Sequence, residues 1–242
     1  MRKSFSYPPS IYHFGTMTPH PPDILDLPFP AELLQFRIAA DRTFTLAAPA
    51  DPDQVLDSIG DEEYEKDRFL PYWAEQWPSA RPLLDYLLQQ SVPDDWYIGE
   101  LGCGLGFVTA ILTSCRPNVM VATDISPEGC RFAACNCTMN AGRSHIVCSD
   151  WRNLPFKSRF DAIVASDVLY EERWIEPVIH GIRLLVKPGG IAWFSDPCRR
   201  FWPQFKNRLA DYGLRHEVRS RTVVNDEGLA VEILEISGFT DG

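Results

Sequence analysis

Three glycines at every second position form the segment of this chain with the clearest chemical meaning. Gly102, Gly104 and Gly106 follow an apolar, strand-like stretch and precede the apolar run 107–112. Glycines in such a turn let the backbone press against a ligand where a Cβ would clash. A strand, a glycine-rich turn and a helix in this order are typical of the first unit of a nucleotide-cofactor fold.

The acidic residue before the turn indicates which cofactor the turn would receive. A dinucleotide places its pyrophosphate at this position, where the carboxylate of Glu100 would repel it. S-adenosylmethionine has no phosphate, and its ammonium and sulfonium groups would be attracted by a carboxylate. The sequence therefore predicts an S-adenosylmethionine-dependent methyltransferase, with an NAD-type oxidoreductase as a rival.

Two further aspartates follow predicted strands and suit the cofactor. Asp124 lies 18 residues after Gly106, and we expect it to accept both ribose hydroxyls. The alternative role is a helix N-cap, for which Ser126 is the better candidate. Asp150 follows the next strand and is predicted to bind the adenine amino group, the alternative being an ordinary turn aspartate.

Aromatic and acidic residues complete the predicted site. Trp77 and Trp151 are candidates for stacking on the adenine, the alternative for each being core packing. Asp167 follows another predicted strand, and we expect it to orient an acceptor amine and stabilise the developing ammonium. Tyr170 would orient Asp167 or close the acceptor pocket. The alternative for both is a helix-start carboxylate beside a packed aromatic.

These residues depend on an alternation of strands and helices. The predicted strands are 96–101, 119–124, 146–147, 160–165, 191–194, 215–224 and 230–237. The predicted helices between them are 105–114, 127–140, 173–186 and 201–212, of which 173–186 ends at the sequence Lys-Pro-Gly-Gly over 187–190. Such alternation favours an α/β, Rossmann-like, doubly wound parallel sheet. The last two strands predict an antiparallel hairpin at the C-terminal edge.

The residues before this alternation predict a short N-terminal extension. Residues 34–48 alternate loosely and suggest one or two strands. Asp51 resembles a helix start, with Val55, Leu56 and Ile59 as the buried face. We expect residues 1–30 to be a flexible, proline-rich leader and residues 31–242 to be a single domain.

Composition narrows the functional classes. The net charge of −10 argues against a nucleic-acid substrate, because phosphate binding depends on Lys and Arg. No stretch approaches the ~20 apolar residues of a membrane span, and we expect no membrane association. Cys130, Cys135 and Cys137 lack the paired spacing of a zinc site, so we expect no metal. Seven cysteines without a signal peptide favour the cytoplasm, while an organellar matrix stays open, as does the oligomeric state.

At this point the chain resembles a known family, the seven-β-strand class I methyltransferases. The resemblance rests on Glu100–Gly106, Asp124, Asp150–Trp151 and Asp167–Tyr170. The Asp-x-x-Tyr pattern at 167–170 is similar to that of the lysine-methyltransferase branch. The segments Pro71–Pro78 and Asp196–Arg199 are similar to those of the electron-transfer flavoprotein β-subunit lysine methyltransferases, with Cys198 where that family has glycine.

The resemblance implies a seven-stranded sheet, S-adenosyl-L-methionine as cofactor and a protein lysine as acceptor, with the electron-transfer flavoprotein β subunit as the partner. The residues that it assigns to the cofactor site are Trp77, Gly102, Asp124, Trp151 and Ser166. It places Asp167 at the acceptor, and Tyr72, Trp73 and Tyr170 would wall the acceptor channel. Two alternatives stay open, namely a nicotinamide-like small-molecule acceptor and a noncatalytic S-adenosylmethionine-binding protein.

Overall fold

Alternating strands and helices build a layered α/β structure. The computed structural model describes residues 26–39, 42–60, 70–155, 160–225 and 228–240. Its strands are β1 (Ala31–Ala39), β2 (Arg42–Pro49), β3 (Tyr97–Leu101), β4 (Val119–Asp124), β5 (Ser144–Cys148), β6 (Phe160–Ser166), β7 (Val186–Asp196), β8 (Arg215–Val223) and β9 (Ala230–Ser237). Its α-helices are α1 (Pro52–Asp57), α2 (Ala80–Gln89), α3 (Phe107–Cys115), α4 (Pro127–Met139), α5 (Ile175–Leu185) and α6 (Trp202–Asp211). Single 3-10 turns cover Tyr72–Ala74, Trp151–Asn153 and Glu172–Trp174.

Within the described residues, seven strands form one sheet in the order β5-β4-β3-β6-β7-β9-β8. The strands from β5 to β7 pair in parallel, and β9 pairs antiparallel with both β7 and β8. This confirms the predicted Rossmann-like sheet with an antiparallel C-terminal hairpin. From β3 the chain adds β4 and β5 on one side of the sheet and then crosses over to add β6 and β7 on the other side. The strand order therefore reverses between β3 and β6, and ligands of open α/β sheets bind at such a switch point.

The side chains of β6 show how the sheet is covered on both faces. Ala162 and Val164 belong to a core that α2 and α3 complete, whereas Ile163 and Ala165 belong to a core that α5 and α6 complete. All four are fully buried. A strand buried on both faces has a continuous apolar run, as β6 has over residues 162–165.

A separate hairpin of β1 and β2 packs beside the sheet, which confirms the strands expected over residues 34–48. Asn136 of α4 and Asn140, the C-cap residue of that helix, join it to the domain. The Asn136 amide accepts from the Ala47 N–H at 2.6 Å and donates to the Ala47 carbonyl at 2.9 Å. Asn140 makes the same pair of bonds with Thr45. The amides thereby replace a neighbouring strand for β2.

Two local predictions hold only in part. The helix predicted over 173–186 does end before residues 187–190, at Leu185, but the following strand begins earlier than the predicted residue 191. Residues 187–190 lie within β7, between register pairs Phe160↔Val186 and Ala162↔Ile191. Four residues of β7 therefore lie opposite a single residue of β6, so that three extra residues bulge from β7. Asp51 does cap α1, but Leu56 is 44% exposed and only Val55 of that helix is buried.

Part of the predicted N-terminal leader lies outside the described residues, up to residue 25. The division into a leader and a single domain over 31–242 therefore stays a prediction. Among the helices that the structure describes, none combines the length and the apolar character needed to cross a membrane.

Candidate active site

A cleft opens where β3 and β6 diverge at their carboxyl ends. It contains about 760 Å³ of space free of protein atoms, its open mouth included. The predicted site residues that line it are Trp77, Glu100, Gly102, Gly104, Asp124, Trp151, Ser166, Asp167 and Tyr170. Gly106 and Asp150 do not line it.

The glycine turn is shaped by two close approaches. Gly102 has φ +68°, and a Cβ there would lie 2.8 Å from the Trp151 ring and 2.9 Å from Val168. Gly106 has φ +76°, and its Cβ would lie 2.9 Å from Ala133 of α4. Both positions therefore require glycine. Gly102 shapes the cleft itself, whereas Gly106 lets α3 and α4 pack closely.

Asp124 ends β4 and fixes the turn from the opposite side. Its Oδ2 accepts from the Gly104 N–H at 2.8 Å, and its Oδ1 accepts from the Ser126 N–H at 3.0 Å. Burial raises the pKa of this carboxyl above its usual range, although the backbone N–H donors oppose the rise. Ser126 caps α4 by accepting from the Gly129 N–H, so the N-cap alternative for Asp124 is wrong.

Glu100 is buried at the bottom of the cleft. Its side chain is 2% exposed, and its Oε2 accepts from both the backbone N–H and the hydroxyl of Thr109, near the start of α3. Burial raises the pKa of Glu100 to about 7, with the hydrogen bonds from Thr109 opposing the rise. The carboxylate lines the floor of the cleft, and one of its oxygens is already committed to α3.

The segment after β5 separates two residues that the sequence paired. Asp150 caps its 3-10 turn and forms an ion pair with Arg152 at 2.6 Å, away from the cleft lining. The ring of Trp151 lines the cleft and meets Trp174 edge to face, with ring centroids 5.4 Å apart. The buried Nε1–H of Trp151 has no hydrogen-bond partner among the described residues. Such a donor suits a ligand acceptor.

Aromatic side chains form the opposite wall. Tyr72 and Tyr170 have ring centroids 4.3 Å apart, and Trp77 meets Tyr72 edge to face at 5.8 Å. The Trp77 Nε1–H donates to the Tyr72 carbonyl at 2.5 Å, which fixes the indole. Trp73 lines the cleft as well, and it is buried against Phe132.

Asp167 occupies the turn after β6 in a left-handed conformation, with φ +59°. Such a backbone is uncommon outside glycine and is best tolerated by Asn and Asp. The carboxylate accepts from the Ser79 N–H at 2.9 Å, the Ser79 hydroxyl at 3.1 Å and Arg199 Nη2 at 2.8 Å. Burial raises the pKa of Asp167 to about 6, and the Arg199 guanidinium opposes the rise.

Arg199 and Ser79 contact Asp167 in the site, and neither was assigned a role from the sequence. Arg199 donates from Nε and Nη2 to Asp196 Oδ2 and from Nη2 to Asp167, and its guanidinium lies 5.9 Å from the Trp77 ring centroid. The one sequence feature that could have indicated Arg199 is its position three residues after Asp196, the aspartate that ends β7. Ser79 precedes α2 but makes no capping bond within it, since its hydroxyl is turned to Asp167.

The donor set of the cleft fits S-adenosylmethionine. Glu100, Asp124 and Asp167 supply negative charge for a cationic ligand, while Trp77 and Trp151 supply apolar faces for a heterocycle. Arg199 is the single basic side chain among the described residues that line the cleft, and it is paired with two carboxylates. A pyrophosphate would therefore meet carboxylates and little positive charge, which disfavours a dinucleotide.

Comparison with known proteins agrees with this chemistry. Residues 98–190 match the family model of the methyltransferase domain. Over 135 residues the chain is 28% identical to the mouse electron transfer flavoprotein beta subunit lysine methyltransferase. That alignment covers 52% of this chain and 53% of the mouse protein, so the chain spans about half the length of this curated relative.

Solved structures show the same fold at low sequence identity. The N-methyltransferase NodS from Bradyrhizobium japonicum WM9, in complex with S-adenosyl-L-homocysteine, matches with TM-score 0.56 and 19% identity over 77% of this chain and 98% of that one. A putative RNA methyltransferase from Pyrococcus horikoshii matches with TM-score 0.56 and 14% identity over 69% and 89% of the two chains.

Proposed function

We propose that this chain, whose residues 98–190 match a methyltransferase domain and whose described residues form a seven-stranded α/β sheet, is an S-adenosylmethionine-dependent N-methyltransferase of protein lysine. The observation that carries the proposal is the position of Asp167. It is a buried carboxylate at the switch point of the sheet, it lines the same cleft as the glycine turn, and aromatic side chains flank it.

The cofactor end of the cleft is assigned to the glycine turn, Asp124 and the two indoles. Asp124 would bind the ribose, the backbone of the turn would approach the amino-acid portion, and Trp77 and Trp151 would hold the adenine between them. S-adenosylmethionine, when bound, supplies an electrophilic methyl group. Asp150 is assigned to the adenine amino group, which requires it to turn toward the cleft and to release Arg152, whose backbone N–H and guanidinium bond to its two oxygens.

The acceptor end is assigned to Asp167 and the two tyrosines. A lysine amine, with a pKa of ~10.4, has to lose its proton before its lone pair can react. Entry into the cleft beside the contacting rings of Tyr72 and Tyr170 would desolvate the amine, and desolvation favours its neutral form. Asp167 would then accept a hydrogen bond from the amine, orient its lone pair and stabilise the ammonium that forms.

Lysine is favoured over a small molecule by the Asp-x-x-Tyr pattern at 167–170 and by the similarity to a mouse protein-lysine methyltransferase. We therefore propose the electron-transfer flavoprotein β subunit, or a protein like it, as the partner. The aromatic pair of Tyr72 and Tyr170 would also accept a flat pyridine, which keeps a nicotinamide-like acceptor as the second candidate. We expect the enzyme to act in the cytoplasm.

The two remaining rivals are less well supported by the site. A noncatalytic protein that only binds S-adenosylmethionine has no use for the Ser79–Asp167–Arg199 network at the far end of the cleft. An NAD-type oxidoreductase would place phosphates beside Glu100 and Asp124. A thermal-shift comparison of S-adenosylhomocysteine with NAD is expected to show stabilisation by S-adenosylhomocysteine alone, and the reverse result would favour the oxidoreductase.

The proposed role of Asp167 is tested by the substitution Asp167→Asn. Asparagine tolerates the left-handed backbone and keeps the shape of the side chain, but it loses the charge. We expect S-adenosylhomocysteine binding within about threefold of the parent by calorimetry. Transfer of radiolabelled methyl groups to lysate proteins, with the labelled residue identified by mass spectrometry, is expected to fall at least a hundredfold. Near-normal transfer by the Asn variant would make Asp167 a structural residue.

A further inference from the structure

We propose that Arg199 is a positioning residue of this site, whose guanidinium holds Asp167 as a fixed, ionised carboxylate with a single acceptor position left free. The proposal rests on the proposed function for its meaning in catalysis, but its physical content concerns these side chains alone. It assigns a role to the arginine that follows β7, which neither the family match nor the sequence pattern supplies.

The first argument is the number of hydrogen bonds that Asp167 accepts. A carboxylate has about four lone-pair positions, two on each oxygen. Asp167 Oδ1 accepts from the Ser79 hydroxyl and from Arg199, and Oδ2 accepts from the Ser79 N–H. Among the described residues these bonds fill three positions and leave one on Oδ2. Asp167 can therefore receive one N–H donor from an acceptor amine in one direction.

The second argument is that Arg199 is itself held in place. Its backbone N–H donates to Asp196 Oδ1 at 2.7 Å, and its Nε and Nη2 donate to Asp196 Oδ2 at 3.1 and 2.9 Å. Asp196 is 1% exposed. Because Asp196 fixes the guanidinium from one side, the same Nη2 can hold Asp167 without the entropy cost of ordering a free arginine.

The third argument is charge. Asp167 is 7% exposed, and a buried carboxylate without a partner becomes protonated at neutral pH. Arg199 and Asp196 are the charged groups that act on Asp167 directly, with opposite effects on its pKa. The other ionisable side chains that line the cleft are Tyr72, Glu75, Glu100, Cys103, Asp124 and Tyr170. Among the described residues that line the cleft, Arg199 is the one cation, and it favours the ionised form of Asp167 more strongly than either hydrogen bond from Ser79 does.

The test measures the titration of Asp167 directly. Its carboxyl ¹³C resonance, assigned by its absence in Asp167→Asn, is followed against pH in the full chain with and without S-adenosylhomocysteine. The parent is expected to titrate near pH 6. In Arg199→Gln the midpoint should rise by at least one pH unit, because loss of a neighbouring cation shifts a carboxyl by about that much or more. Arg199→Lys should stay within about half a unit of the parent.

A matched arginine provides the control. Arg208 pairs with Glu176 and Asp211 on the outer face of α6, so Arg208→Gln should leave the Asp167 midpoint unchanged. A purely structural role for Arg199 would lower the melting temperature without moving the midpoint. An Asp167 midpoint that stays within a few tenths of a pH unit in Arg199→Gln would overturn the proposal. If the Gln variant does not fold, Arg199→Met, which also removes the charge and keeps a long side chain, supplies the same comparison.

Activity gives a second, separate readout. With an acceptor that the parent methylates, the acidic limb of the pH–rate profile should move upward in Arg199→Gln by the same amount as the resonance. If the resonance moves as expected and no acceptor is methylated by the parent, the proposed function fails while the role of Arg199 stands. If methylation occurs and neither the limb nor the resonance moves, the role of Arg199 fails alone.

Discussion

Glu100 is expected to make the stability of this protein fall as pH rises. Burial raises the pKa of Glu100 from its ordinary value of 4.5 to about 7 in the folded protein. Below pH 4.5 the group is protonated in both the folded and the unfolded state and has no effect. Between pH 4.5 and 7 the folded state binds more protons than the unfolded state, so the free energy of unfolding decreases with pH. Above pH 7 Glu100 is ionised in both states, and the free energy of unfolding is lowered by the full cost of burying its charge.

The magnitude follows from the size of that rise. At 1.36 kcal/mol per pH unit, the ionised form of Glu100 costs about 3 kcal/mol above pH 7. Glu100→Gln keeps an oxygen that can accept from the Thr109 N–H but carries no charge. The Gln variant is therefore expected to gain on the parent by roughly 2 to 3 kcal/mol between pH 5 and pH 8.

Urea unfolding of both proteins at pH 5, 6, 7 and 8 measures this difference. The other carboxyls with raised pKa, Asp124, Asp167 and Asp196, are present in both proteins and cancel. The control is Glu217→Gln on β8, where the side chain is 69% exposed and a flat difference is expected. A flat difference for Glu100→Gln as well would refute the buried, largely desolvated state that we assign to Glu100.

Three further predictions concern the cleft and its surroundings. Asp124→Ala should weaken S-adenosylhomocysteine binding more than tenfold by calorimetry, or ~1.5–3 kcal/mol, and unchanged affinity in a folded variant would remove the ribose assignment. Trp151→Ala should weaken that binding more than it lowers the melting temperature; if it mainly unfolds the protein, Trp151 is a core residue. Cys198 has φ +59°, so Cys198→Val should lose about 1–2 kcal/mol of stability while Cys198→Gly stays within about 1 kcal/mol of the parent. Equal losses in the two Cys198 variants would show that its backbone carries no strain.

Features that depend on local patterning were predictable from the sequence. The alternation of apolar strands with helices gave the sheet, and the spacing of the glycines placed the cleft at the end of β3. Gly102 and Gly106 are required by contacts with Trp151 and Ala133, which lie within 50 residues of the turn.

Features that depend on distant contacts were not predictable. Ser79 and Asp167 are 88 residues apart, and nothing in the sequence around either one indicates that they meet. The bulge over residues 187–190 arises because β7 continues past a Pro-Gly-Gly sequence that ordinarily ends an element. Asp150 forms an ion pair with Arg152, and this ion pair competes with the binding of the adenine amino group that the sequence predicted for Asp150.

Methyl transfer to purified acceptors tests the central claim most directly. The enzyme is incubated with labelled S-adenosylmethionine and electron-transfer flavoprotein in one reaction, and with nicotinamide or related pyridines in another, each with Asp167→Asn in parallel. The account predicts label on a lysine of the flavoprotein β subunit with the parent enzyme and at least a hundredfold less with the variant. Label on the small molecule, with none on any lysine, would contradict it.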